Sequence, residues 1–256
     1  MDRIVTIQAF GDNYIYLCQY DEHHGFAVDP CESTGILDIL QERQLDLKLI
    51  LATHHHWDHV GAVAELKGHA GCRVIGCDKR RIPGIDSVVA DGQIIEVGDD
   101  KVQVIATPGH TRTSACYYML PSRATGPGIL WTGDTLFVAG CGRLLECDAQ
   151  TMWDSLQKLA SLPDDTLIYC GHNYTVEDLE FALSIEPDNQ AVRQQLRQAI
   201  RMQEEGDPTV PSTMAQEKKT NPFLRSDTPE VKNALKIPDA QAVDVFAELR
   251  RRKDFF

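Results

Sequence analysis

Over the first two-thirds of the chain, apolar residues come in short, β-branched runs separated by polar and glycine-containing breaks. Residues 3–7, 14–18, 25–29, 47–52, 72–75, 94–97, 102–106, 117–120, 128–131 and 166–170 each predict a strand. A turn-like Gly98-Asp-Asp100 parts two of them. Helical spacing covers 37–40, 61–67 and 151–162. This alternation predicts a layered α/β or α+β core with mixed sheets. After about residue 175 the texture changes. Residues 176–185 and 190–205 read as helices rich in Glu, Gln, Arg and Leu, and Gly206-Asp-Pro208 breaks the pattern. A polar stretch then runs through Thr220-Asn-Pro-Phe-Leu-Arg225. Residues 239–253 close the chain as an amphipathic helix with Ala242, Val245, Phe246 and Leu249 on one face. The division falls near residue 173: a sheet-rich part, 1–173, and a helical part, 174–256.

Composition adds limits. The 256 residues are 43% hydrophobic and 25% charged, enough apolar material for a full core. The net charge of −13 disfavours nucleic acid and anionic membrane surfaces as partners. It would also repel an anionic substrate, so such a substrate requires a local basic pocket. The first residues lack the basic and apolar segments of an export signal, and no apolar run is long enough to span a bilayer. A cytoplasmic location is the expectation, with the eight cysteines as reduced thiols, mostly buried. A monomer is expected.

The candidate chemistry begins at Thr53-His-His-His-Trp-Asp-His59, which packs four histidines and an aspartate into seven residues at the end of a strand. Imidazole and carboxylate are ligands for borderline divalent metals. His54 and His56 alternate, so an extended segment points both to one side. Asp58 and His59 follow at the turn into a helix, where a second set can be presented. One short segment can therefore serve two adjacent metals. Three more strands end in the same way, each offering a single ligand-type residue beside a glycine: His110, Asp134 and His172. Any one of these histidines alone would be an ordinary hydrogen-bonded core residue. Their recurrence at strand ends is the more specific signal.

The seven-residue segment is similar to the T-H-x-H-x-D-H signature of metallo-β-lactamase-fold hydrolases, with His110, Asp134 and His172 where the remaining ligands of that superfamily fall. The resemblance implies an α+β fold, an αββα sandwich with metals at one edge. It implies that His54, His56 and His110 hold a first metal and that Asp58, His59 and His172 hold a second. Asp134 would bridge the two. His55 lies outside the pattern and would point to the other side of the strand. Two cations about 3.5–4 Å apart make hydroxide available near neutral pH and polarise a carbonyl. Zinc is the first expectation, with iron or manganese as alternatives.

A second resemblance covers nearly the whole chain. Asn221-Pro-Phe-Leu-Arg225, Gly133-Asp-Thr-Leu-Phe-Val-Ala-Gly-Cys-Gly-Arg143, Asn173-Tyr174 after His172, and the basic Arg250-Arg-Arg-Lys253 look like glyoxalase II, the hydroxyacylglutathione hydrolases. This implies cleavage of a glutathione thioester, typically S-D-lactoylglutathione, to a hydroxy acid and glutathione in methylglyoxal detoxification. The helical part would be the substrate-binding domain, and Arg143, Tyr174, Arg250 and Lys253 match the binding positions. Arg250 and Lys253 stand one helical turn apart and share a face. Two positions depart from the pattern: Leu145 stands where some members carry an aromatic residue, and Cys147 where a glycine is frequent. Cys141 is expected to be a packed residue rather than a reactive thiol.

Other readings differ at identifiable residues. A β-lactamase would carry an export signal, a nuclease would want a basic surface, and a single-iron sulfur dioxygenase would not need the Asp58, His59 and His172 set. Against a lactonase stand only the helical part with Tyr174, Arg250 and Lys253. A non-catalytic metal-binding protein would be expected to have lost a ligand, and all seven positions are filled.

Overall fold

The computed structural model describes residues 3–122 and 125–256. Its internal contacts divide the chain into two compact units. The first comprises the chain up to Ala106 together with Thr113–Gly133; the second comprises Thr107–Arg112 and Asp134–Phe256.

The first unit holds β1 (Ile4–Ala9), β2 (Asn13–Gln19), β3 (His24–Val28), α1 (Thr34–Arg43), β4 (Asp46–Leu51), α2 (Trp57–Val60), α3 (Val63–Ala70), β5 (Arg73–Gly76), β6 (Ser87–Val88), β7 (Ile94–Val97), β8 (Asp100–Ala106), β9 (Ala115–Met119) and β10 (Ile129–Gly133). One mixed sheet runs in the order β1-β2-β3-β4-β5-β6, antiparallel through β3 and parallel from β3 onward. The unit's other strands form an antiparallel meander in the order β10-β9-β8-β7.

Strand β2 shows why the sheets stack. Its alternate residues Ile15 and Leu17 join Ile36 of α1 and Val63 and Leu66 of α3 in one apolar cluster. The intervening Tyr14 and Tyr16 are equally buried and lie with ring centroids 6.3 Å apart. A strand buried on both faces requires a layer on each side. The two sheets of this unit meet through Phe26 and Trp131, whose rings pack edge to face at 5.4 Å. Tyr117 of β9 donates its hydroxyl to the carbonyl of Ala52 (2.9 Å), which ties the end of β4 to the meander.

The second unit holds β11 (Leu136–Phe137), β12 (Gly140–Cys141), α4 (Ala149–Ala160), β13 (Leu167–Cys170), α5 (Thr175–Ile185), α6 (Gln190–Glu205), β14 (Ser212–Thr213), α7 (Met214–Thr220), α8 (Pro229–Ala234) and α9 (Ala242–Lys253). Val245, Phe246 and Leu249 are buried, as the amphipathic pattern of α9 predicts, and Ala242 is half-buried. Phe246 packs on Trp153 of α4 and on Phe223, which stacks on Phe181 of α5.

The long elements match the sequence expectation to within a few residues. The additions are short. Strands β6, β11, β12 and β14 have two residues each, too few to show a periodicity. The polar stretch before Asn221 forms α7. Its cap is Thr213, whose Oγ1 accepts from the Gln216 backbone N–H (3.2 Å). A threonine followed three residues later by Gln is the signature of such a start.

Candidate metal centre and substrate cavity

In the first unit, β4 delivers the histidine segment and Asp29 organises it. Thr53 donates its backbone N–H to Asp29 Oδ1 (2.7 Å) and its hydroxyl to Asp29 Oδ2 (2.6 Å). His59 Nδ1 lies 3.0 Å from the same Oδ2. A carboxylate can only accept, so Nδ1 carries the proton and Nε2 keeps a lone pair for a metal. His56 caps α2 in an extended conformation (φ −62°, ψ 144°), and Asp58 and His59 sit on the single turn that follows. His54 Nε2 and His56 Nδ1 are 3.1 Å apart, and His59 Nε2 is 3.8 Å from Asp58 Oδ2. The rings of His54 and His59 approach to 4.1 Å. Asn13 supports the turn by donating to the Asp58 carbonyl (2.9 Å). His55 faces elsewhere, with Nε2 2.9 Å from Arg81 Nη1. Gly133 is required by close approach: its φ is +47°, and a Cβ there would meet Thr53 Oγ1 at 2.2 Å.

In the second unit, Asp134 stands between two histidines. Its Oδ2 is 3.5 Å from His110 Nε2 and 3.4 Å from His172 Nε2. His110 Nδ1 is 2.9 Å from the Arg143 carbonyl, an acceptor, so the Nε2 facing Asp134 is the unprotonated nitrogen. The spacing is informative. Two ligands held at ~2.1 Å by one tetrahedral ion stand about 3.4 Å apart, longer than a hydrogen bond. The His110–Asp134–His172 spacings fit that value, and the donor types fit a divalent metal. All three residues are buried, which limits competition from water.

Along the same wall lies a cavity of about 310 Å³, bordered by His110, Asp134, Arg143, Tyr174, Arg250 and Lys253. Tyr174 stacks flat on His172, with centroids 4.9 Å apart and planes 3° apart. The two cations expected on α9 differ in state. Arg250 is only 5% exposed. It donates from Nη1 to the Cys141 carbonyl (2.7 Å), pairs through Nη2 with Asp254 (3.0 Å), and lies over the Phe223 ring. Lys253 pairs with Glu177 and with Asp178 Oδ1 at 3.2 Å. Both therefore reach the cavity already engaged by acceptors of the protein, whereas Arg143 is exposed. Burial pushes the Cys141 thiol up to about 12, so it stays protonated and unreactive near neutral pH.

Several residues that shape the site carry no signal in a motif. Asp29 is one, visible only as a strand-end aspartate before proline. Glu217 is another. Glu217 accepts from Ser212 Oγ (2.5 Å), the Ala139 N–H (2.7 Å) and Asn221 Nδ2 (3.1 Å). Asn221 also donates to the Gly140 carbonyl (2.9 Å). These bonds fix the β11–β12 hairpin, whose turn residue Ala139 has φ +60° and which leads into the cavity wall. Asn221 of the Asn-Pro-Phe-Leu-Arg stretch is thus an anchor for the hairpin, and Phe223 is its buried support under Arg250.

A family model described as the metallo-beta-lactamase superfamily matches residues 21–172, and one described as the hydroxyacylglutathione hydrolase C-terminus matches residues 173–256. The hydroxyacylglutathione hydrolase of Methylococcus capsulatus is 42% identical over 260 residues, covering 100% of this chain and 99% of that protein. That of Photobacterium profundum is 43% identical over 259 residues, covering 100% of both. Among solved structures, ETHE1 from Myxococcus xanthus superposes with a TM-score of 0.67 at 24% identity, over 98% of this chain and 97% of that one. The structural likeness shows the fold: α+β, of the metallo-β-lactamase type, followed by a helical C-terminal region. The full-length identity is more specific, and on it the chain belongs to the hydroxyacylglutathione hydrolase family.

Proposed function

We propose that this protein hydrolyses glutathione thioesters, with S-D-lactoylglutathione as the principal substrate, to a hydroxy acid and glutathione in the detoxification of methylglyoxal. The observation that carries the reading is that one cavity combines metal donors, His110 and Asp134, with a cationic and aromatic wall, Arg143, Tyr174, Arg250 and Lys253. That pairing suits a substrate with a reactive carbonyl at one end and carboxylates at the other.

We assign His54, His56 and His110 to one metal, Asp58, His59 and His172 to a second, and Asp134 to both. Imidazole and carboxylate donors suit zinc first, then iron or manganese. When bound, the metals supply hydroxide near neutral pH and stabilise charge developing on the thioester oxygen. The chain does the rest. Asp29 keeps His59 in the ligating tautomer, and the Arg143 carbonyl does the same for His110. Asp58 takes a hydrogen bond from the attacking group. Arg143, Tyr174, Arg250 and Lys253 hold the glutathione moiety and orient the carbonyl. The division near residue 173 separates the catalytic part from a helical substrate-binding part. We take the protein to act as a cytoplasmic monomer on a small molecule; all eight cysteines are free, and no helix among the described residues is long and apolar enough to cross a membrane.

The test is hydrolysis of S-D-lactoylglutathione by the purified protein, with and without chelator, beside a lactone and a β-lactam. Chelator-sensitive cleavage of the thioester with the others near background is expected. Cleavage of the lactone instead would keep the metal centre and overturn the glutathione assignment.

A further inference from the structure

The cavity contains two carboxylates that neither metal binding nor substrate binding requires. Glu177 and Asp178 lie on the first turns of α5 and border the same cavity as Arg143, Arg250 and Lys253. Glu177 is 62% exposed, whereas the Asp178 side chain is 5% exposed. Asp178 Oδ1 faces Lys253 at 3.2 Å. Its Oδ2 is buried with no hydrogen bond among the described residues and lies directly over Gly140, where a Cβ would come within 2.0 Å. Glycine at 140 is therefore what lets this oxygen sit against the hairpin. An unsatisfied buried carboxylate is costly, and a fold retains one only where another interaction offsets the cost.

We infer that Asp178 is a specificity-determining residue of the substrate cavity: with Glu177 it claims the Lys253 ammonium, and the carboxylates of an anionic thioester must compete with two carboxylates of the protein for that charge. This rests on the glutathione reading above. The charges facing Asp178 are Lys253 and Arg250 from α9, with Asp254 paired to that arginine, and Glu177 from its own helix. The Cys141 thiol is beside them and neutral. Arg143, His110 and Asp134 border the cavity as well. Burial pushes Asp178 up to about 7 against the pull of Lys253. Its charge therefore changes over a range in which substrate carboxylates stay ionised. As the pH falls from 8 to 6 Asp178 loses its charge, the substrate then competes with Glu177 alone for Lys253, and KM falls.

The experiment compares the wild type with Asp178→Asn, which keeps an oxygen for Lys253 and removes the charge. KM and kcat for S-D-lactoylglutathione and calorimetric binding of glutathione are measured at pH 6 and pH 8. At pH 8 the variant should show KM and glutathione Kd lower by roughly 3–10-fold, the scale of one partly screened charge, with kcat within about 2-fold. Its KM should be flat across the pH range where that of the wild type falls. The exposed Glu177→Gln should give a smaller, pH-independent fall. A variant KM unchanged or raised at pH 8 overturns the proposal. Should the Asp178→Asn substitution prevent folding, the wild type carries the test, since a KM that does not fall toward pH 6 overturns it equally. A wild type inert toward the thioester and blind to glutathione would sink the underlying functional reading. An active wild type with an unresponsive variant sinks this proposal alone.

Discussion

The metal-donor segment and the cavity wall are built in opposite ways. The histidine segment of the first unit is local: His54, His56, Asp58 and His59 lie within six consecutive residues, and one strand end plus one helical turn present them. The cavity wall of the second unit is assembled across long sequence separations. Arg250 reaches Cys141 over 109 residues, Asn221 reaches Gly140 over 81, and Glu217 reaches Ala139 over 78. The local site depends on few bonds, each close to the chemistry. The assembled one depends on distant bonds that no short motif records. Its residues should therefore fail through stability and binding, whereas those of the local site should fail through metal and rate.

The largest effect that would break this contrast comes from the donors. Replacing Asp134 with Ala should remove bound metal, measured by elemental analysis, and cut activity by about 1,000-fold or more, because the proposed assignment gives this group to both ions. Asp29→Asn, which touches no metal in this assignment, should weaken metal affinity by roughly 10–100-fold through loss of the carboxylate behind His59. Unchanged affinity in that variant would mean that Asp29 merely supports Thr53. Next come the two cations of α9. The sequence treats them alike, but the structure separates them. Lys253→Ala should raise KM for the thioester by about 5-fold with a smaller change in kcat. Arg250→Ala should also cost about 2–4 kcal/mol of stability, because it strips a buried carbonyl of its donor and leaves a void over Phe223. Equal melting temperatures for the two variants would erase the distinction.

This division also explains what could be read from the chain. The strands, the long helices and the α9 face were legible because period-2 and period-3.6 patterns are local. The histidine segment was legible because its imidazole and carboxylate groups sit at spacings that one strand and one turn can present. His110, Asp134 and His172 were legible as strand-end polar residues, and the second unit brings them within 3.5 Å of one another's donors in pairs. Asp29 was not, since a lone Asp before Pro has many uses. Nor was the engagement of Arg250 by Cys141 and of Lys253 by Asp178, which requires knowing which carbonyl and which carboxylate the fold brings to them. Two-residue strands such as β11 and β12 were missed because two residues are too few to show a periodicity, and Glu217 and Asn221, which bond to their turn, lie about 80 residues away.

The smallest effect sharpens the comparison most, because it isolates one distant bond set without touching the cavity. Burial pushes Glu217 up to about 7, despite its three donors. A folded-state value above the unfolded one favours the neutral form on folding. Its stabilising contribution is therefore present below the unfolded value near 4.5 and is lost as pH rises through about 7. Glu217→Gln removes that titration. The Gln oxygen can still accept from Ala139 and Asn221, and the new amide can donate to Ser212, whose hydroxyl turns to accept. Denaturant unfolding of wild type and variant should therefore diverge with pH, the variant gaining about 2–3 kcal/mol relative to wild type between roughly pH 5 and pH 8. The difference between the two proteins cancels the titration of Asp178, which both share. A pH-independent difference would mean that Glu217 stays charged at both ends of the range, and that its three donors outweigh its burial.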